Sequence, residues 1–201
     1  MDYIELSKKD VASNSILLAK KVQAEWKKPD AVVFIARGAF LIGNAMADYY
    51  NAPLLEIHAS RKASKLKTLI SPLLSFIPSA LKKRLREMEV KSGYHSKHVS
   101  REIRFNKDKW STLSNINYIL VVDDSVDTGN TVLAAKSAIN EFFPNAEVKI
   151  AAFNCFTFSV AEVDFVLWED TMLNGPWSND SKENAQADIE YNTARINGVF
   201  I

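Results

Sequence analysis

The segment YILVVDDSVDTGNT, residues Tyr118–Thr131, joins an apolar run to a turn that carries three carboxylates. The run ends in Asp123 and Asp124, and a helix-like segment begins near Thr131. Gly129 permits a tight backbone turn, and the first turn of a helix offers N–H groups that have no partner inside the helix. Successive amides of this kind form a concave anion site, which the helix dipole strengthens. We therefore expect this turn to hold a phosphate.

The side chains beside the turn indicate the kind of phosphate. Thr128 and Thr131 can add hydroxyl donors. Asp123 and Asp124 can accept hydrogen bonds from vicinal hydroxyls and attract a hard cation such as Mg²⁺. A phosphate beside two acids that accept hydrogen bonds from hydroxyls suggests a ribose 5-phosphate group. The competing interpretation is an acidic turn in which Asp127 only caps the next helix.

Two other phosphate-handling classes do not fit this segment. The turn lacks the lysine of the G-x-x-x-x-G-K-[ST] loop of nucleotide triphosphatases. Its acids follow the order D-D-x-x-D-T, whereas phosphatases of the haloacid dehalogenase type need D-x-D-x-[TV].

Strand-like apolar runs alternate with helix-like segments along the whole chain. The predicted strands are AVVFIA, PLLEIHA, INYILVVDD, EVKIAAFNCF and VDFVLW, and the predicted helices are SNSILLAKKVQAEW, FLIGNAMADYYN and TVLAAKSAINEFF. This alternation predicts an α/β fold with a mainly parallel twisted sheet that helices cover on both faces. In such folds ligands bind at the carboxyl ends of the strands. The Arg37-Gly38 turn and the acidic turn both fall there.

Composition favours one globular domain over residues 1–201. The chain has 201 residues, of which 47% are hydrophobic, enough to bury a sizeable core. Cys155 is the only cysteine, which excludes an internal disulfide and fits a reducing compartment. Neither a signal-peptide core nor an apolar run of membrane-spanning length occurs. We therefore expect a cytoplasmic protein.

A basic segment interrupts the alternation. Residues 61–109 hold 14 Lys/Arg and 4 Asp/Glu, a net charge of +10, whereas the other residues sum to −9. The segment is too long for an ordinary connection between strands, so we interpret it as an insertion. The sparse aromatic and histidine residues within it do not form a stacking platform, and we expect no nucleic-acid partner.

The acidic turn is the residue pattern that identifies a family. ILVVDDSVDTGNT resembles the phosphoribosyl diphosphate (PRPP) signature of type I phosphoribosyltransferases. With ARGAFLIGNAMADYYN and DFVLWEDTMLNGPW, it is similar to the bacterial xanthine-guanine phosphoribosyltransferases. These segments span most of the chain from Asp30 to Trp177, while the insertion matches only around SGYH. The resemblance implies the type I phosphoribosyltransferase fold, with a small C-terminal hood over about 153–201 and an enlarged basic lid at 61–109.

The resemblance assigns roles to the donor half of the site. Asp123 and Asp124 would bind the ribose hydroxyls of PRPP and help to place Mg²⁺. Arg37 and Gly38 would form the diphosphate loop, which in this family often contains a strained or cis peptide. Asp127 would act near N7 of a base as general base or acid. The 5′-phosphate would be enclosed by Asp127, Thr128, Gly129, Asn130 and Thr131.

The acceptor half departs from the family pattern. Purine enzymes of this group carry a lysine that reads the 6-oxo group, but no lysine occurs between Lys149 and Lys182. Asn154 or Cys155 stands at the corresponding place. The resemblance therefore implies a 6-oxopurine acceptor as the default and leaves a different nucleophile open.

Further acceptor and lid contacts follow from the same resemblance. Met172 stands where an aromatic residue normally stacks on the purine, and Leu173 could offer backbone groups to a base edge. We expect Trp177 to serve packing, as large aromatic residues usually do. Ser92 and Tyr94 match a Ser-x-Tyr lid motif, with an ordinary polar loop as the alternative.

The resulting functional prediction is an enzyme of purine-salvage type. It would transfer the 5-phosphoribosyl group of PRPP to a nucleobase or other small-molecule acceptor, with Mg²⁺, and release diphosphate. The alternative is a non-catalytic regulatory protein that binds PRPP or a nucleotide. We expect the insertion to be a lid or a homodimer contact, and rank a contact with an anionic membrane surface below both.

Overall fold

The computed structural model describes residues 2–61 and 101–201. Along the chain the strands are β1 (Asp2–Glu5), β2 (Ala31–Ala36), β3 (Leu54–Arg61), β4 (Arg101–Arg104), β5 (Tyr118–Val126), β6 (Glu147–Cys155), β7 (Phe165–Glu169) and β8 (Thr171–Asn174). The helices are α1 (Lys8–Glu25), α2 (Phe40–Tyr50), α3 (Lys107–Trp110), α4 (Asn130–Phe142) and α5 (Asn184–Ile196). The five predicted strands and three predicted helices are confirmed, with ends shifted by a few residues.

The main sheet has six strands in the order β4-β3-β2-β5-β6-β7. Neighbouring strands are parallel except for β4, which runs antiparallel to β3. Strand β5 lies at the centre, and Phe34 of β2 pairs in register with Val122 of β5. The carboxyl ends of β2 and β5 are therefore side by side. This confirms the predicted α/β fold and brings the two predicted ligand loops together.

Helices cover both faces of the sheet because strand side chains alternate between them. Val32 and Phe34 belong to the core on the side of α1 and α2, whereas Val33 and Ile35 belong to the core on the side of α4. All four side chains are nearly or fully buried. A strand buried on both faces reads as a continuous apolar run, which is why β2 and β5 could be recognised from the sequence.

A second, two-stranded sheet pairs the N-terminal β1 with β8 in parallel. Tyr3 is level with Met172, and Ile4 is level with Leu173. The pairing ties the start of the chain to the predicted hood. Neither four-residue strand was predicted, because so short a segment carries too few residues to establish a period.

The end of the predicted insertion belongs to the main body of the protein. Of residues 61–109, the described residues 101–104 form the edge strand β4 and 107–110 form α3. The ring of Trp110 is fully buried, and its Nε1 atom donates to the carbonyl oxygen of Ile201 at 3.2 Å. The rest of the insertion, 62–100, lies outside the described residues. None of the described helices has the length and hydropathy needed to cross a membrane.

Candidate active site at the carboxyl end of the sheet

The acid pair lies at the carboxyl end of the central strand β5. Asp123 is only 8% exposed, and one of its carboxylate oxygens accepts a hydrogen bond from the backbone N–H of Asp124 at 3.0 Å. Burial raises the pKa of Asp123 well above its ordinary value, and the charge of Asp124 raises it further. Burial also raises the pKa of Asp124. Two such groups favour a ligand that brings positive charge or hydroxyl donors.

The predicted diphosphate loop adjoins this pair directly. The peptide bond between Ala36 and Arg37 is cis, as the resemblance implies for this loop. A Cβ atom at Gly38 would lie 2.9 Å from the Oδ1 atom of Asp124. The absence of a side chain at residue 38 thus lets the backbone of the loop reach the acids.

The acidic turn ends at the start of helix α4, where the N-cap residue is a glycine. Gly129 is the N-cap residue of α4, with φ of 79°, and a glycine has no side chain that could cap the helix. Asp127 lies two residues before Gly129 and therefore does not occupy the N-cap position of α4. The Nδ2 atom of Asn130 donates to the Oγ1 atom of Thr128 at 3.0 Å, which holds the turn in shape. The first amides of α4 have no partner inside the helix, and the predicted anion site depends on this property.

A glycine is needed at residue 129 for two reasons. Its φ lies in the left-handed region, and a Cβ atom there would lie 2.5 Å from the Cβ atom of Ala161 and 2.7 Å from the Oγ atom of Ser159. The loop after β6 thus packs closely behind the turn, and the N–H of Val160 donates to the carbonyl oxygen of Thr128 at 3.2 Å. The loop after β6 therefore holds the acidic turn in place.

The Arg37 side chain reaches the C-terminal helix α5. Its Nη1 atom lies 2.9 Å from the Oδ2 atom of Asp188. The two residues line a shallow pocket with Gly38, Phe40, Leu41, Trp177, Ala187 and Tyr191. Sequence reasoning missed both α5 and Asp188, because the helix is mostly polar and only Ala187 and Tyr191 are buried on it. No signal in the sequence links Asp188 to Arg37.

Asn154 is a structural residue inside the protein. It is fully buried, its Nδ2 atom donates to the Oγ atom of Ser125 at 3.1 Å, and its Oδ1 atom accepts from the backbone N–H of Thr171 at 3.0 Å. One amide therefore joins the strand that carries the acids, β5, to the first residue of β8. Both ends of this side chain are occupied by the protein.

The neighbouring strand ends are rich in carboxylates. Burial raises the pKa of Cys155, and Glu169, Asp170 and Asp127 raise it further through their charge. Asp170, at φ of 49°, accepts hydrogen bonds from the backbone N–H and the hydroxyl of Thr157. These contacts fix the turn between β7 and β8 to the end of β6.

Comparison with known proteins identifies the family of this chain. The family model described as "Phosphoribosyl transferase domain" matches residues 6–154, most of the chain. This chain belongs to the phosphoribosyl transferase domain family. The predicted family is thereby confirmed, and with it the predicted enzyme class, a phosphoribosyltransferase. No curated protein matches this phosphoribosyltransferase significantly in sequence.

Solved structures share the fold of this phosphoribosyltransferase at low sequence identity. A xanthine-guanine-hypoxanthine phosphoribosyltransferase of Helicobacter pylori gives a TM-score of 0.65 at 17% identity, covering 92% of this chain and 99% of that one. A purine phosphoribosyltransferase of Pyrococcus horikoshii gives 0.59 at 16% identity, covering 90% and 97%. A hypothetical protein of Neisseria gonorrhoeae, solved with bound ppGpp, gives 0.59 at 16% identity, covering 96% and 98%.

The predicted acceptor residues of this phosphoribosyltransferase lie in and beside β8. Met172 and Leu173 are partly exposed, and Leu173 also packs against the core. Trp177 packs against the core as well, with its ring 6.4 Å from that of Phe153, which confirms the expected packing role. Trp177 in addition lines the Arg37 pocket. The predicted lid residues Ser92 and Tyr94 are outside the described part of the chain.

Proposed function

We propose that this phosphoribosyltransferase uses PRPP as its donor and Mg²⁺ as its cofactor, and transfers the 5-phosphoribosyl group to a ring nitrogen of a nucleobase. The observation that carries the proposal is the position of the acid pair. Asp124 touches the Arg37-Gly38 turn, and three residues further along the chain the phosphate turn begins. Groups suited to a diphosphate, a ribose diol and a 5′-phosphate therefore follow one another in the order in which PRPP carries them.

The donor would be held mainly by the backbone and the acids. The first-turn amides of α4 would bind the 5′-phosphate, with hydroxyl donors from Thr128 and Thr131. Asp123 and Asp124 would accept hydrogen bonds from the two ribose hydroxyls. Because Asp123 is buried and Asp124 is half-buried beside it, they would discriminate against ligands that lack these donors.

The acid pair also fits a magnesium ion. Carboxylate oxygens are the ligands that Mg²⁺ prefers, and Asp123 and Asp124 are adjacent near the end of β5. Among the described residues no group of three metal-ligating side chains occurs, so the remaining ligands would be PRPP oxygens and water. When bound, Mg²⁺ would neutralise charge on the diphosphate. Asp123 and Asp124 would hold it.

The reaction breaks the bond between the anomeric carbon and the diphosphate oxygen and forms a bond from that carbon to the acceptor nitrogen. The electron pair of the broken bond leaves with the diphosphate, whose growing charge Arg37 and the backbone of Gly38 would stabilise. Asp127, exposed at the end of β5, would take the proton that the acceptor nitrogen loses. The protein would thus orient the two reactants, stabilise the charge on the leaving diphosphate and accept the proton of the acceptor nitrogen.

A 6-oxopurine is the acceptor that we propose first. Two of the structures that share the fold are purine phosphoribosyltransferases by their titles. Asn154 cannot replace the missing lysine, because its amide is bonded to Ser125 and Thr171. Recognition of the base edge would therefore depend on the backbone of Met172 and Leu173.

A panel assay tests the proposal. Purified protein is mixed with PRPP, Mg²⁺ and guanine, xanthine, hypoxanthine, adenine or non-purine acceptors, and diphosphate release is measured. We expect turnover with at least one purine, and a loss of about 10²-fold or more in kcat for Asp127→Ala, the usual size of a general-base contribution. An exposed acid on α3, Asp108, provides the control as Asp108→Ala.

One other function is favoured by a specific observation. The Neisseria gonorrhoeae structure of the same fold contains ppGpp. This favours, as the second candidate, a regulatory protein that binds a nucleotide, and a binding measurement tests it separately. Binding of PRPP or ppGpp by calorimetry, without diphosphate release across the acceptor panel, would favour the regulatory protein and contradict the enzyme.

A further inference from the structure

The Arg37 side chain and the backbone of its loop face different parts of the protein. The backbone at Gly38 lies against the carboxylate of Asp124. The guanidinium instead forms an ion pair with Asp188 of α5, at 2.9 Å between Nη1 and Oδ2. The side chains of Arg37 and Asp188 are 47% and 33% exposed, so both remain accessible to a ligand in the pocket.

The helix that carries Asp188 is anchored firmly to the sheet. Tyr191, one turn after Asp188, donates its hydroxyl hydrogen to Glu56 of β3, whose side chain is only 11% exposed. Arg195 lies 3.9 Å from the same carboxylate. The ring of Tyr191 packs against three aromatic rings, those of Phe34, Phe40 and Phe200. Asp188 is therefore presented to Arg37 from a fixed position.

We propose that Asp188 is a positioning residue for phosphoribosyl transfer, which fixes the Arg37 guanidinium beside the leaving diphosphate. The inference rests on the proposed function, since it requires Arg37 to bind diphosphate. A guanidinium has five N–H donors in a rigid plane, so Asp188 can hold one edge while other donors contact the ligand. A cation that is fixed before the reaction stabilises developing charge without having to reorganise.

This role has a specific kinetic signature. Negative charge on the diphosphate grows as the bond to the anomeric carbon breaks, so a loosely held Arg37 costs more in the transition state than in the bound ground state. Loss of the Asp188 charge also removes a repulsion on bound PRPP. Neutralising Asp188 should therefore lower kcat without raising KM for PRPP.

The first test compares two ion pairs of the same helix. Asp188→Asn should lower kcat about tenfold, with KM for PRPP unchanged or lower, and Asp188→Glu should recover part of the loss. The matched control is Glu190→Gln, because Glu190 lies on the same helix but pairs with Lys8 of α1. The control should keep wild-type kinetics. Equal losses of kcat in Asp188→Asn and Glu190→Gln, or a raised KM with unchanged kcat in Asp188→Asn, would show that Asp188 contributes only to the structure.

The second test asks whether Asp188 acts through Arg37. In an Arg37→Ala background, Asp188→Asn should cause no further loss of kcat, since residues that act as one unit are not additive. Added guanidinium ion should restore activity to Arg37→Ala more than to the double variant. Additive losses with an active wild-type enzyme would overturn the positioning role alone. A wild-type protein without PRPP-dependent diphosphate release would instead overturn the proposed function, and this role with it.

Discussion

Gly38 and Asp124 are in contact across the carboxyl ends of β2 and β5, so close that a Cβ atom at residue 38 would come 2.9 Å from the Asp124 Oδ1 atom. The contact joins the predicted diphosphate loop to the acid pair. It exists because β2 and β5 are neighbours in the sheet and their ends are level. The proposed donor site is therefore one continuous surface built on two adjacent strands.

We predict that Gly38→Ala weakens PRPP binding about tenfold or more, because the added methyl group displaces the Asp124 carboxylate. Folding should change little, since Asp124 can turn its side chain away. Calorimetric titration of PRPP with Mg²⁺ and thermal unfolding measure the two effects. Gly198→Ala is the control: at φ of 67° it strains the backbone, but its methyl group meets no atom within 4 Å. Wild-type affinity in Gly38→Ala would contradict the proposed donor site.

We predict that Gly129→Ala lowers the free energy of unfolding by about 3 kcal/mol. The left-handed φ costs about 1–2 kcal/mol for alanine, and overpacking costs about 1–3 kcal/mol. The overpacking arises because the new Cβ atom would lie 2.5 Å from that of Ala161. Urea unfolding of the two proteins measures the difference in the free energy of unfolding. Stability within about 0.5 kcal/mol of wild type would mean that the loop after β6 does not pack against this turn.

A pH dependence follows from the raised pKa of Asp123. Above the ordinary carboxyl pKa of about 4, the unfolded chain has released a proton that folded Asp123 still holds. The free energy of unfolding therefore falls as the pH rises through this window, up to the raised pKa. In metal-free protein Asp123→Asn should flatten this fall and raise Tm at neutral pH.

Replacing both acids tests whether they bind the ligand. Mg²⁺ with PRPP should raise the Tm of the wild-type protein, because a ligand of the folded state stabilises it. Asp123→Asn combined with Asp124→Asn should abolish most of that increase. If the variant has a higher Tm without ligand and a smaller rise in Tm with ligand, the two acids destabilise the free protein but are needed for binding. An unchanged response would contradict the role of the acids.

We predict that Asn154→Ala lowers the free energy of unfolding by about 2–4 kcal/mol, because it leaves the Ser125 hydroxyl and the Thr171 N–H without partners in the interior. Asn44→Ala, which removes only an exposed contact to Asp48, is the control and should change stability by less than about 1 kcal/mol. Since Asn154 holds the start of β8, KM for the acceptor should rise more than KM for PRPP. Equal changes in the two constants would argue against a link between Asn154 and the acceptor.

Much of the fold was predictable because its signals are local. Strands β2 and β5 are short apolar runs that end in turn residues, and α4 follows a glycine that permits the turn before it. The edge strand β4 and the pair β1 and β8 were missed, since four residues do not reveal a period. Helix α5 was missed because two buried residues leave almost no apolar stripe.

The sequence by itself predicted the donor chemistry, because the acids, the glycine and the threonines that would bind PRPP lie within nine residues, Asp123–Thr131, and their spacing is set by a strand, a turn and a helix. Only the tertiary structure decided what lies around them. It placed Gly38 against Asp124, engaged both ends of the Asn154 amide and brought Asp188 to Arg37 across 151 residues of chain. Contacts between distant residues depend on how the elements pack, and one-dimensional patterns do not record packing.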